Sequence, residues 1–490
     1  MKNSNTHYKS LFKATSLFGI VEVIRMLLKV VANIGASYFL GTANFGLVGL
    51  IENTTQLISS ITNFGINFTG IREVAGFKDK NSLAFHKTLK IIHLFCLFSG
   101  ILAAAISILG AYYLSFLTFD SYQYYFWFVL LSIYFVCTSG TQSKIIFLEG
   151  TQNFKKLIRI NILVNIVNTL IILVAYYYFK VNGIVIAMVV NAFITYLLYY
   201  KLSGVQRVSV TVTNKEIKAQ FKKLMQSGGL LSVNVVLGFL SLYIIRLYLK
   251  EIDLTVLSYY NAGLIILVSY LGIIFIAISK FFFPKLTQVI EEEGDFNLLI
   301  NNQFEICLLL ILPAILVLYL LGEFIIGILF SAAFKPVYQI LIFGLAAIIF
   351  KGFNYSTGYL FLSNKNWKQY FYINAVSDFL NVILTIWLYH KMQLFGIGLA
   401  LLVNYFLGAV YCYFYIRKKY AFSLTKANQF FLLFAVCATA LIIVCFYTLN
   451  RQYFDIIALL FVIISLIYSI KRLDEYLLDS KILNKIKALF

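Results

Sequence analysis

Glu22, Arg25, Lys29 and Asn33 recur three or four residues apart within the apolar stretch from Ser16 to Leu40. On a helix, at about 100° per residue, they share one narrow arc. Two neighbouring cations flanked by a carboxylate and an amide are chemistry for an anion, above all a phosphate, which Arg and Lys hold by charge-assisted hydrogen bonds. A second stripe, Glu52, Gln56, Ser59 and Asn63, follows at the same spacing. A third is Asn374, Asp378, Asn381 and Thr385, and Asn161, Asn165 and Asn168 echo it. Arg246 and Lys351 stand in further apolar runs.

A charge at the centre of a bilayer costs roughly 3 kcal/mol or more, so stripes of this kind in membrane-spanning helices face protein or water. For Glu22 and Arg25 the alternative is a self-neutralising i, i+3 pair that locks packing. Lys29, with Glu52 as its plausible neighbour across a short hairpin, fits a cavity wall better. Arg246 has snorkelling to the interface as its alternative, and Lys351 is similar. The expected binding surface is therefore cationic: Arg25, Lys29, Arg246 and Lys351. Its polar lining is Asn33, Gln56, Asn63, Asn161, Asn165, Asn374 and Asn381. Glu22, Glu52 and Asp378 are candidates for coupling a proton or a sodium ion. Tyr and Phe are read as membrane belts and lipid-facing packing, not as a ligand cage.

The elements that carry these residues must be transmembrane helices. Of the 490 residues 61 % are apolar and only 12 % charged, a balance that no soluble globular chain needs. About fourteen runs reach the roughly 20 residues that cross a bilayer, and almost nothing remains for a soluble domain. The fold class expected is an all-α integral membrane protein. Lys and Arg gather on alternate loops, as at Arg72, Lys78 and Lys80, at Lys155, Lys156 and Arg159, and at Arg417, Lys418 and Lys419. The opposite loops hold only Lys180, Lys250, Lys335, Lys391 and Arg451. The positive-inside rule then puts both termini in the cytoplasm. A net charge of +20 reads as topology, with attraction to anionic lipid heads added, and not as a nucleic-acid footprint. The six cysteines and four histidines show no metal spacing. The polar, basic N-terminus lacks a small-residue cleavage site before its apolar run and reads as an uncleaved first span.

A shift of 213 residues lays Asn161 on Asn374, Asn168 on Asn381, Tyr176 on Tyr389, Gly183 on Gly396 and Asn191 on Asn404. The repeating unit is six helices, and an even-numbered unit repeats in the same orientation. The expected organisation is an N-lobe over 1–202, a basic cytoplasmic linker over 203–223, a C-lobe over 224–416, and two appended helices with a cytoplasmic tail over 417–490. Two lobes facing each other across a hydrated cleft would move something across the membrane by alternating access.

The segments Gly41 to Leu50, Asn63 to Gly76 with its Arg72 and Glu73, Phe147 to Leu157, and Ile244 to Gly263 with Arg246 resemble the polysaccharide transporter family of bacterial flippases, the Wzx-type O-antigen and capsule translocases. Pro284 follows span 8 as in that family, while Lys250 to Asp253 lacks the family's usual glycine. The resemblance implies the two-lobe fold shared with multidrug exporters of the MATE type and with lipid II flippases. It implies as cargo an undecaprenyl-pyrophosphate-linked oligosaccharide, turned to the outer leaflet of the bacterial cytoplasmic membrane. No cofactor is implied; the drive is a proton, a sodium ion or the membrane potential. Membrane lipids and the polysaccharide polymerase machinery are the implied partners, and nucleic acid is not. A drug exporter of the same fold would prefer cavity acids for cationic drugs, against the basic excess here. A polymerase or glycosyltransferase would carry a large outer loop or acidic residues in an early one; here the first outer loop has no charge and the second only Asp120.

Overall fold

The computed structural model describes residues 2–77, 79–80, 82–204, 210–292, 294–364 and 366–478, with side chains from 24 onward apart from 227, 230, 231, 280, 281 and 475–478. Lys78, the linker residues 205–209, the tail 479–490 and the side chain of Glu22 lie outside the described residues. Among those described the secondary structure is helical throughout, with no strand. Eleven continuous segments are long and apolar enough to cross a membrane. Three of them fold back on themselves, at Gly41, at Lys180–Asn182 and at Gln393, which yields the fourteen helices that the hydropathic runs predict.

The chain divides into two compact units, 1–258 and 259–490. The first holds α1 (Lys2–Asn63), α2 (Ile66–Ala75), α3 (Leu83–Leu109), α4 (Ala111–Phe119), α5 (Tyr125–Gly150), α6 (Phe154–Phe179), α7 (Gly183–Leu202) and α8 (Asn214–Ile252). Helix α9 (Leu254–Leu264) crosses the boundary. The second unit holds α10 (Gly272–Glu291), α11 (Phe296–Leu329), α12 (Val337–Ser363), α13 (Trp367–Tyr420), α14 (Lys426–Thr448) and α15 (Arg451–Leu478). Helix α8, which the repeat assigns to the C-lobe, packs against α1 and is grouped with the first unit.

The hairpin in α1 depends on Gly41, whose φ of 75° and ψ of 173° lie in a region open essentially to glycine alone. Such a turn lets two spans lie side by side with their polar stripes facing the same way. The repeat appears as identical backbone geometry in each unit. Lys180 (φ 49°, ψ −126°) and Gln393 (φ 52°, ψ −131°) are 213 residues apart and make the same turn. Gly183 and Gly396 follow each turn, where a Cβ would strike the carbonyls of Ala175 and Leu388.

Two expectations about chain ends change. Span 8 does not stop at Phe283, because α10 runs through Pro284 to Glu291, and it is preceded by one π-helical turn, Ile265–Tyr270. The segment lacking the family glycine closes on charges instead. Lys250, expected in an open outer loop, is buried and donates to Asp120 Oδ1 and to the carbonyl of Leu117, both at 2.8 Å. Asp253 is extended and accepts from the Thr255 amide at 2.6 Å, which caps the next helix. In the second unit, α14 is fixed to α11 by a buried amide cluster. The Asn428 side chain donates to the carbonyl and the side-chain oxygen of Asn301, at 2.9 and 3.0 Å.

Candidate functional site

Helix geometry alone puts Lys29 on the first limb of α1 and Glu52 on the second, and the Gly41 hairpin brings them to one place. Glu52 lies within electrostatic reach of both Lys29 and Arg246. Arg25, Lys29, Glu52 and Gln56 are all exposed, and Asn33, Ser59 and Asn63 half-buried. Glu52 is exposed one turn from Gln56, so its carboxylate is not packed against neighbouring atoms. Arg246, half-buried on α8, does not simply reach for an interface. Its Nη1 donates to the Asn53 side-chain oxygen at 2.7 Å, and Asn53, only 2 % exposed, donates in turn to the Phe239 carbonyl at 3.2 Å. A charged donor on a buried neutral acceptor is a strong, directional tether. It holds the guanidinium near Glu52.

The same stripe continues along α1 into a cavity of about 520 Å³ lined by Gln56, Ser59, Ser60 and Asn63, by Tyr134, Thr138 and Gln142 of α5, and by Ser232 of α8. Asn63 accepts from Ser99 at 2.9 Å, which orients its amide. The first unit thus carries a polar chamber with one acid and two cations, Lys29 and Arg246, beside it.

The shorter stripe on α6 behaves differently. The side-chain oxygen of Asn161 accepts from Tyr199 at 2.6 Å, and that of Asn168 from Thr195 at 3.4 Å. These amides join α6 to α7, and Asn165 sits half-buried between them.

In the second unit, α12 and α13 line an open cavity of about 240 Å³. Lys351, Asn354, Tyr355, Tyr359, Tyr370, Asn374, Ser377 and Tyr405 are among its walls. Lys351 Nζ lies 5.5 Å from the centre of the Tyr405 ring, a cation–π contact. Asp378 is half-buried next to Tyr370 and Tyr405. Asn381 is half-buried on the same limb of α13, its side-chain oxygen buried without a hydrogen-bond partner. Beyond the expected belts and lipid-facing packing, four tyrosines line this cavity together with Lys351. Sequence reading also missed Asn53 and the α5 wall. Asn53 is masked by its neighbour Glu52, and Tyr134, Thr138 and Gln142 by an otherwise apolar helix. Their i, i+4 spacing was the available signal.

Residues 148–467, well over half of the chain, match the family model of the lipid II flippase MurJ. The chain belongs to the MurJ family. Among solved structures, a lipid II flippase MurJ in an inward closed conformation superposes with a TM-score of 0.66 at 14% identity, covering 94% of this chain and 99% of that one. An inward-facing multidrug resistance MATE transporter of the MOP superfamily gives 0.65 at 14% identity, over 82% and 98%. A eukaryotic MATE transporter gives 0.59 at 11% identity, over 88% and 99%. These likenesses fix the fold of this MurJ-family chain as that of the MOP superfamily. No curated protein sequence is similar enough to match.

Proposed function

We propose that this MurJ-family protein is a flippase for a lipid-linked oligosaccharide diphosphate in the bacterial cytoplasmic membrane. The observation that carries the reading is the junction of Lys29, Glu52 and Arg246 beside an open polar chamber. A sugar–diphosphate head cannot cross hydrocarbon, because its charged and hydroxyl groups would be left without partners. In the proposed mechanism Arg25, Lys29 and Arg246 take the diphosphate. The hydroxyls and amides of Gln56, Ser59, Asn63 and Gln142 take the nearest sugar, and the isoprenoid tail stays in lipid. Glu52 neutralises Lys29 and Arg246 in the empty state. The incoming diphosphate replaces it, so loading frees a carboxylate that a proton or sodium ion can occupy. An inside-negative potential favours outward movement of anions by about 2.3 kcal/mol per charge per 100 mV, which gives direction.

For the glycan, the polysaccharide-transporter resemblance favours an O-antigen or capsule repeat unit. The family match favours lipid II as the second reading. Two experiments separate the possibilities. Replacing Arg25 and Lys29 with Ala, in protein shown to insert normally, is expected to abolish transport of the lipid-linked glycan; unimpaired transport refutes the site. Depleting the protein is expected to remove surface polysaccharide while growth continues, whereas lysis rescued by a known lipid II flippase would establish the second reading.

A further inference from the structure

At one end of the first unit the turns between spans meet around an open pocket of about 470 Å³, within the roughly 300–1,000 Å³ of small-molecule sites. It shares no lining residue with the polar chamber. Asn44 follows the Gly41 turn, Asp120 and Tyr124 lie between α4 and α5, Lys180 and Asn182 between α6 and α7, and Lys250 closes α8. These are the ends of apolar spans, so the pocket sits at the level of lipid headgroups. Tyr122, Tyr177 and Tyr178, neighbours of the lining residues in sequence, are exposed, as aromatic side chains are at a membrane–water interface.

The pocket carries charges of both signs. Lys250 donates to Asp120 Oδ1 at 2.8 Å and lies 3.1 Å from Glu251 Oε1. One buried ammonium between two carboxylates leaves that corner with a net negative charge, and the Asp120 side chain is 59% exposed. Asn44 uses its amide nitrogen on the Leu40 carbonyl at 3.0 Å and keeps its side-chain oxygen as an acceptor. The opposite sign comes from Lys180. Among the described residues its ammonium has neither a carboxylate nor a hydrogen-bond acceptor; its contacts are the rings of Phe39 and Tyr177, at 5.9 and 5.8 Å, the outer limit of a cation–π interaction. The turn does not require a lysine, since Gln393 takes the same backbone in the second unit without a charge. Asn182, two residues on, has an exposed amide. Asp120 opposes a bare anion here and Lys180 a bare cation, so a guest that carries both charges fits best.

The geometry points to a site for a zwitterionic phospholipid headgroup, phosphoethanolamine, with its ammonium on Asp120 and Asn44 and its phosphate on Lys180 and Asn182. Phe119 and Phe179 offer apolar surface to the glycerol, and the open side lets the acyl chains pass into lipid. The site does not depend on the flippase reading. The test uses the purified full chain in detergent, with lipid adducts measured by native mass spectrometry for phosphatidylethanolamine, phosphatidylcholine and phosphatidylglycerol of identical chains. Phosphatidylethanolamine is expected to bind at least about ten-fold more tightly than either, the factor that one charge-assisted hydrogen bond supplies. The trimethylammonium of choline has no N–H for Asp120, and the glycerol headgroup has no cation at all. Lys180→Gln, which copies Gln393, should weaken phosphatidylethanolamine by a similar factor. Asp120→Asn should bring it down to the level of phosphatidylcholine, and Lys391→Gln, beside the matching turn of the second unit, should change nothing. Melting curves without added lipid separate lost binding from lost fold in Asp120→Asn, which also loosens Lys250; Lys180→Gln breaks no hydrogen bond and decides the matter by itself. Equal binding of the three lipids overturns the proposal. So does tighter binding of phosphatidylglycerol, which would mark a plain anion site, or Lys180→Gln binding like the parent.

Discussion

Asn53→Leu removes a side-chain oxygen of almost unchanged shape from beneath Arg246. The hydrogen bond lost is 2.7 Å long, its donor is charged and its acceptor is 2 % exposed. Bonds of this kind contribute about 1.5–3 kcal/mol. At 1.4 kcal/mol per factor of ten, the tethered arginine falls in population by about 10- to 100-fold. If that pose is the one that receives a diphosphate, the ligand must restore it, and Kd rises by the same factor. The assay is titration of the purified protein with a short-chain prenyl diphosphate, with a melting curve to show that α1 and α8 still pack. Arg246→Ala should give a loss at least as large. The double variant should then add little to Arg246→Ala, since the two residues act through one contact. Unchanged Kd in Asn53→Leu, or losses that add in the double variant, would refute the idea that Asn53 aims Arg246.

Three further outcomes follow from particular contacts. Gly183→Ala and Gly396→Ala each drive a Cβ onto a backbone carbonyl of the preceding helix, so both should lower stability by about 1–3 kcal/mol, measured as matching losses in thermal melts of detergent-solubilised protein. Lys250→Met empties a buried donor from the Leu117 carbonyl and from Asp120; about 1–3 kcal/mol should be lost, and proteolysis near 250–253 should rise. At the start of α8, Glu216 accepts from Lys87 Nζ at 2.7 Å and from the Thr213 amide at 2.8 Å. The Lys87 bond first, and then those from Thr213, hold its carboxyl down at about 2, below the usual 4.5. Its support for the start of α8 is complete above pH 4.5 and is lost as pH falls toward 2. Protection of the amides at 214–217 against exchange should fall across that window, and Glu216→Ala should leave it low at every pH.

The polar stripes were legible because a helical period is local. Glu52, Gln56, Ser59 and Asn63 share a face whatever surrounds them, and the structure places all but Glu52 along one chamber, with Glu52 at its edge between two cations. The same rule misled for Asn161, whose face was right and whose neighbour, Tyr199, was not foreseeable. Tyr355, Tyr359, Tyr370 and Tyr405 come from two helices and show no pattern that distinguishes a cavity wall from a lipid belt.

The sequence by itself determined the solvent, the number of spans and the repeat. Apolar run length is set by bilayer thickness, and a 213-residue echo that includes glycines at the same turn is a copy of backbone geometry. Tertiary structure alone decided the partners: Arg246 with Asn53, Lys351 with Tyr405, Asn161 with Tyr199. The reason is that lipid and protein are equally apolar neighbours for a membrane helix. Hydrophobic pattern therefore says little about how each helix is rotated, and only packing fixes which polar groups meet.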